Sequence, residues 1–529
     1  MKIFSQEDIW KQFLKQAVQD EVRTENALHK LKKRYAKEYG VPLIDNIGLQ
    51  KLYLQLKKEG WDDGSKFQRL IRKRKIRTLS GVSVLTVLTK PYPCPGKCIF
   101  CPTEPGMPKS YLSNEPGAMR AVLDDFHPKD QVQTRLKSLA EQGHETEKIE
   151  MIVLGGTFSA YNPRYQSNFV RALYNACNPT PGASLKEAQR INESSPHKII
   201  GLSLETRPDH ITPAEIRRMR ELGCTKVQMG VQHTDNAILE LNQRGETRED
   251  HIRAIELLKD AGFKIAVHLM PNLAGSTPEK DLAMMTEVFE SPNYKPDQVK
   301  IYPCVVTPYA ELENWWKEGR YQSYSDETLM DLLLETQKII PEYVRVERLF
   351  RDIPGETILS GSQMTNMRQI LEERMEKEGV HCRCIRCREI RGESYNPDAM
   401  ELRILPYEAS RGQEFFISFN DAKRDKLCSL LRLRFPAPAL QGKKHFLKEL
   451  EGAALVREVH TYGAQVKTDQ KSSDASQHAG LGRRMLEEAE KISKNAGFKK
   501  LAIIAGVGTR NYYRKWGYEL DGTYMTKAL

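Results

Sequence analysis

Three cysteines, Cys94, Cys98 and Cys101, stand in the segment KPYPCPGKCIFCP with three and then two residues between them. Three thiolates on one short loop can hold three irons of a [4Fe-4S] cluster, which leaves the fourth iron without a protein ligand and open to a reactant. The competing use of such a trio is a zinc site whose fourth ligand comes from elsewhere. Cys382, Cys384 and Cys387, in HCRCIRCRE, offer a second set of thiolates at a spacing suited to a structural Zn²⁺. His381, Cys304 and Cys428 are candidates for its fourth ligand, with a second cluster or free thiols as alternatives. Near the C-terminus, Gln477, Gly480 and Gly482 in QHAGLGRR lead into a helical pattern, with Leu481, Arg483 and Arg484 beside them. Free amides at a helix N-terminus attract anions, and glycines let phosphates approach. Further on stand Tyr512 and Tyr513. A phenol there could protonate a departing thiolate, a role that fits one of the two, with Tyr513 favoured.

Positioning these groups falls to two alternating patterns. From Gly81 onward, short apolar runs (VSVLTVL, IEMIVLG, KIIGLSLE, KVQMGVQ, FKIAVHLMP, QVKIYP, YVRVERL) alternate with helical stretches such as AEIRRMRELG. Repeated strand-helix units predict a parallel sheet covered by helices, a partial or full barrel whose chemistry lies at the C-terminal strand ends. The first cysteine loop follows the first such run. Gly155, Gly156 and Thr157 close the second, where glycine allows backbone to approach a ligand. Glu205 and Arg207 end the third, and Gln232 and Lys300 end later ones; each could meet a charged ligand or serve as a structural partner. After residues 380–400 the pattern becomes sheet-rich (EFFISFND, LCSLLRLRF, AALVREVHTYG), then a helix, LGRRMLEEAEKISKNAG, and the strand LAIIAG. The expected organisation is a helical basic module at 1–77, a barrel domain at 78–375, a zinc-binding linker at 376–400 and an α+β domain at 401–529.

With 529 residues the chain exceeds one ordinary core. Its mean hydropathy of -0.57 and lack of a long apolar run argue against a membrane span, and its charged N-terminus argues against a signal peptide, so a cytoplasmic location is expected. Ten cysteines in that compartment suit metals better than disulfides. The formal net charge is +11, and basic residues concentrate in HKLKKRYAKEYG and KFQRLIRKRKIR. That stretch suits RNA phosphates, or is a solvated helix face.

The cysteine loop is similar to that of radical S-adenosylmethionine (SAM) enzymes, and Q-x-x-G-x-G resembles the pyrophosphate loop of GNAT-type acetyltransferases. Together with SYLSNEPGAMRA, IEMIVLGGTF, LETRPD, LKDAGFKIAVHLMP, VKIYP, RDIPG, CRCIRCRE and AGVGTRNYYRKWGY, the chain resembles the catalytic subunit of Elongator in its stand-alone archaeal or bacterial form, over residues 75–529. The fold so implied is a radical SAM partial (β/α) barrel joined to a GNAT-type α+β domain. The resemblance implies that the iron left open chelates SAM and reduces it to a 5'-deoxyadenosyl radical. Gly155, Gly156, Thr157, Glu205, Arg207 and Gln232 would hold SAM, with Lys300 at the reaction site. It implies that backbone groups of Glu458, Val459, His460 and Thr461, with Lys148, meet acetyl-CoA. The implied reaction places a carboxymethyl group on C5 of the wobble uridine of transfer RNA, whose anticodon stem-loop must present a splayed base. A reductant for the cluster is a further implied partner, and a homodimer is left open. Thr103, Glu104, His233, Asn272 and Ala274 depart from the family's usual residues. The main rival reading is a protein lysine acetyltransferase with a structural cluster; another is an RNA-binding scaffold without chemistry.

Overall fold

The computed structural model describes residues 5–61, 66–72, 80–364, 366–391, 393, 400–463 and 480–529. Each of the seven apolar runs forms a strand: β1 (Ser83–Leu88), β2 (Lys148–Leu154), β3 (Lys198–Thr206), β4 (Lys226–Gln232), β5 (Lys264–Leu269), β6 (Gln298–Ile301) and β7 (Arg345–Arg348). They lie side by side in chain order, every neighbour parallel, as helical crossovers on one side demand. The two end strands are not paired with each other, so the sheet is an open half-barrel.

Successive strand residues face opposite sides, and the two sides differ in chemistry. One row, including Leu85, Met151, Leu204, Val267 and Val299, is fully buried under the crossover helices. The other row, including Glu150, Lys226, Gln232, Lys264, His268, Lys300 and Glu347, lines the barrel lumen. Apolar packing thus holds the sheet, while its concave face carries charge.

A second seven-stranded sheet has the order β13-β14-β12-β11-β10-β9-β8, with β8 Glu401–Ala409, β9 Gly412–Asp421, β10 Lys426–Phe435, β11 Ala453–Thr461, β12 Lys500–Ile503, β13 Glu519–Asp521 and β14 Tyr524–Ala528. Its pairs are antiparallel except β11 with β12. Sequence patterning did not anticipate β8, β13 or β14. The first two sit at the sheet edges, where β13 is exposed throughout and β8 turns Leu402 and Ile404 outward, so neither shows a buried apolar row.

This sheet docks on the N-terminal end of the half-barrel through buried charge. Asp297, just before β6, takes two bonds from Arg457 (2.9 and 2.5 Å) and one from the Ile265 amide (2.8 Å). Arg434 reaches Asp260 (2.6 Å) and Glu414 (3.0 Å). Arg432 and Lys264 share Glu458 at 2.9 and 2.8 Å. Charges of the second sheet are thus matched with one another and with Asp260, Asp297 and Lys264 of the half-barrel where water is scarce, which an unpaired buried ion could not survive.

At the same seam, the loop of AGVGT lies against β3. A Cβ on Gly506 would stand 2.0 Å from the Ile200 carbonyl oxygen, and one on Gly508 2.7 Å from Lys198 Cβ. Gly506→Ala is therefore expected to force the two backbones apart and cost about 1–3 kcal/mol, read as a lower thermal midpoint with unchanged helix content.

The helices α1 (Gln6–Gln19), α2 (Glu25–Tyr39), α3 (Asn46–Lys58) and α4 (Lys66–Ile71) pack around a core of their own that includes Trp10, Phe13, Leu49 and Tyr53. Lys30, Lys33, Arg34 and Lys37 of α2 are exposed. The basic run at 73–77 lies outside the described residues.

Candidate active site

Cys94, Cys98 and Cys101 sit on the loop after β1, at the C-terminal mouth of the half-barrel, and line one cavity with Gly156, Thr157, Glu205, Arg207 and Gln232. Backbone and guanidinium groups already point at the sulfurs. The Gly96 amide donates to Cys94 Sγ (3.4 Å) and Arg244 Nη1 to Cys98 Sγ (3.4 Å), while Thr157 Oγ1 is 3.5 Å from Cys94 Sγ. The Cys98 thiol is lowered to about 5, chiefly by its hydrogen bond with Cys101 and against the effect of burial, with Arg244 and Arg207 adding positive charge. Cys101 is pushed up in turn by the same hydrogen bond.

The glycine pair acts through geometry. A Cβ on Gly155, whose φ is 140°, would lie 1.8 Å from Thr89 Oγ1, so only glycine fits. The amides of Gly155 and Gly156 each donate to Glu205 Oε2 at 3.3 Å, and Tyr111 donates to the same oxygen at 2.8 Å. Arg207 is clamped by Asp209 (2.9 Å) and the Arg244 carbonyl (3.0 Å), yet its Nη1 has no partner. Gln232 Oε1 and His268 Nε2 are likewise buried and unpartnered. A donor and an acceptor left bare in a polar cavity are what a charged, amphoteric ligand would satisfy.

The cavity, of about 1020 Å³, continues down the lumen. Lys226 bridges Glu150 (3.1 Å) and Glu347 (2.9 Å). Lys300 is bonded to Gln228 and stands 3.8 Å from Glu347. Although burial acts to raise it, Lys226 and Lys300 hold the Glu347 carboxyl well below the usual range. Burial lowers Lys300 itself. At the far end the same cavity is lined by Glu458, His460 and Tyr462 of the second sheet. His460 Nε2 is 3.0 Å from the Ser80 carbonyl oxygen, and burial lowers its pKa. Val459 and Thr461 are half-buried on the same strand end. Lys148, which opens β2, is lowered by burial.

Gly480 has φ 71° and precedes the helix Leu481–Asn495 without a side-chain cap. Nothing lies within 4 Å of where its Cβ would be. Leu481 is buried, anchoring the first turn, while Arg483 lies over Trp516 (4.7 Å) and Arg484 over Phe419 (4.4 Å). The Tyr512 hydroxyl lies 3.0 Å from where a Gly482 Cβ would be, so that phenol faces this first turn. Tyr513 is buried edge-on between Tyr512 and Tyr518, and burial raises its pKa. Gln477 lies outside the described residues.

Residues 92–287 match the Radical SAM superfamily and residues 296–377 the Radical_SAM C-terminal domain. The tRNA uridine(34) acetyltransferase of Methanocaldococcus jannaschii is 43% identical over 475 residues, 87% of each chain. That of Dehalococcoides mccartyi is 44% identical, over 86% of this chain and 100% of its own. Elongator complex protein 3 of Saccharomyces cerevisiae is 36% identical, over 87% of this chain and 85% of its own. The solved structure of the archaeal Methanocaldococcus infernus Elp3 with an N-terminal deletion (1-46) superposes with a TM-score of 0.74 at 39% identity, covering 85% of this chain and 100% of that one. The chain belongs to the tRNA uridine(34) acetyltransferase/Elongator complex protein 3 family.

As a radical SAM enzyme of this family it carries a second thiol group, at the seam between the sheets. The sulfurs of Cys382, Cys384 and Cys387 lie within 4.8 Å of one another, with Cys384 Sγ 3.6 Å from Cys387 Sγ. Among the described residues this group has three members. Cys304 packs instead with Phe100 and Tyr321, and Cys428 Sγ touches Met400 Sδ at 3.3 Å. Sequence reasoning missed Arg244, because it stands on the loop after the helix Asn236–Leu241 rather than at a strand end. It missed the Asp297–Arg457 pair for a simpler reason: the partners are 160 residues apart.

Proposed function

We propose that this enzyme modifies the wobble uridine of transfer RNA with an acetyl-CoA-derived unit, giving 5-carboxymethyluridine. The relatives are named for tRNA uridine(34) acetyl transfer. The observation that carries the reading is the cavity joining the Cys94–Cys98–Cys101 loop to Glu458 and His460. It offers one continuous route between a cluster site and an acyl-donor site. In this reading the three thiolates hold a [4Fe-4S] cluster, and the bare Gln232 and Arg207 atoms, with Gly155, Gly156, Thr157 and Glu205, receive SAM. When bound, this pair of cofactors supplies a carbon radical able to take hydrogen from an unactivated C–H bond.

The protein's own groups then position and protonate. The first-turn amides of the helix from Leu481, with Gly480, Gly482, Arg483 and Arg484, would receive the pyrophosphate of acetyl-CoA, a role the sequence pattern also gives to Gln477. Glu458, Val459, His460 and Thr461 offer backbone groups to its pantetheine, and Lys148 its ammonium. Because burial raises it, the Tyr513 phenol remains protonated near neutrality and can donate to the thiolate of the leaving coenzyme, with Tyr512 as the alternative donor. Lys300 stands in the lumen between the two sites, suited to a carboxylate or carbonyl. The exposed basic face of α2 suits RNA phosphates. The three thiols at Cys382, Cys384 and Cys387 suit Zn²⁺ in a joining role.

Anaerobic reconstitution with iron, sulfide, SAM, acetyl-CoA and transfer RNA tests this by nucleoside mass spectrometry. Carboxymethyluridine is the expected product. Its absence together with robust lysine acetylation would overturn the reading in favour of a protein acetyltransferase.

A further inference from the structure

Beside the cluster loop, three tyrosine rings form a stack that ends in solvent. Tyr92 lies on Tyr161 (centroids 4.5 Å apart, planes at 27°), and Tyr161 on Tyr165 (4.9 Å, 19°). Tyr165 continues to Phe169 in the core (5.6 Å). The inner rings are fastened. Tyr161 donates to the Lys90 carbonyl (2.7 Å) and is 2.7 Å from Thr89 Oγ1, while Tyr165 accepts from the Lys90 amide (3.3 Å). The outer ring is not covered: Tyr92 is 41% exposed, and Tyr161 is its ring partner among the described residues.

The backbone holds this exposed ring still. Pro91, Pro93 and Pro95 flank Tyr92 in the sequence KPYPCP, so the chain around the ring has few conformations to lose. The surroundings are cationic. Lys90, Lys97 and Arg164 are exposed. Neither segment that carries the stack, 89–103 or 157–171, contains an Asp or Glu. Rigid ring, bare face and exposed cations nearby describe a platform for an unpaired nucleobase and its phosphates, since any base has a π-face and stacking needs no particular sequence.

We infer that Tyr92 is a stacking platform that receives an unpaired RNA base beside the one presented to the cavity. Tyr92 is two residues from Cys94, which lines that cavity, so a base held there would fix the direction in which its neighbour enters. The inference rests on the RNA-modifying reading above and deepens it by assigning a protein contact to the unpaired strand.

The test uses the full chain with its iron and a fluorescein-labelled RNA hairpin carrying an unpaired loop, followed by anisotropy. Tyr92→Ala is expected to weaken hairpin binding about five- to hundredfold and to leave binding of fully paired RNA unchanged. Tyr92→Trp is expected to bind like the wild type and to show RNA-induced quenching beyond that of the wild-type tryptophans. Hairpin affinity unaltered in Tyr92→Ala, or no added quenching in Tyr92→Trp, would overturn the platform. Should Tyr92→Ala fail to take up iron, the quenching of Tyr92→Trp decides alone. A wild-type protein that binds no RNA overturns the functional reading itself, a different result from a wild type that binds and a Tyr92→Ala that binds equally well.

Discussion

Cys98→Ala is expected to lose its iron and to fall to background in SAM cleavage, while binding acetyl-CoA as tightly as the wild type. Cys98 is the most engaged of the three loop thiols: buried, bonded to Cys101 and capped by Arg244. Its lowered pKa makes it a thiolate near neutrality, the form that binds metal. Cys177, Cys224 and Cys304 are no substitutes for it, since burial pushes their thiols up to about 12. Losing a partner one shell further out typically costs about 10- to 100-fold, so loss of the ligand itself should exceed a hundredfold. Arg244→Gln, which removes the donor to the sulfur and the bonds to Glu246 and the Gly230 carbonyl but leaves all three thiols, belongs in the milder range. The acyl end of the cavity lies on β11, the strand and sheet on the far side of the lumen, so calorimetry with acetyl-CoA should not change. Loss of both activities in Cys98→Ala would mean that the cluster site is mainly architectural.

Asp297→Ala carries the largest expected stability loss. Its carboxylate faces Arg457 (2.5 Å) and Arg432 (3.5 Å), and all three side chains are 1% exposed or less. Removing it strands buried guanidinium charge and frees the Ile265 amide, a defect worth about 3–5 kcal/mol. Denaturant melts should show this loss, and a double-mutant cycle with Arg457→Met should show strong coupling between the two positions. The same network predicts an acid limit. Glu414 is lowered to about 2: burial acts to raise it, but Arg457, Lys259 and Arg434 outweigh burial. An unfolded glutamate protonates near the ordinary 4.5, so between there and about 2 the unfolded state binds a proton that the folded state refuses. The contribution of Glu414 is complete above the unfolded value and is lost as pH falls through this window. A melt series across it should show the midpoint dropping, and Glu414→Gln, already destabilised, should drop less.

Much of this could be read from the chain itself. Strand-length apolar runs separated by helical periods located β1 to β7, because the strand face covered by helices must be apolar and the strand length is set by the sheet. The cysteine spacing and the glycines at 155, 156, 480 and 482 pointed to both candidate sites, since local chemistry and local backbone geometry need only neighbours in sequence. Edge strands β8 and β13 escaped notice because they bury almost no apolar side chains, so their sequences carry no buried row to read.

What the tertiary structure alone decided are the relations between distant residues. That the Cys loop and β11 share one cavity follows from which end of the barrel the second sheet covers. That choice is made by Asp297 meeting Arg457, and Asp260 meeting Arg434, across 160 and 174 residues. Charge pairs bind by distance in space, and a linear pattern holds no record of which Arg meets which Asp. For the same reason Arg244 over Cys98 and Tyr92 on Tyr161 became visible only once the chain had folded.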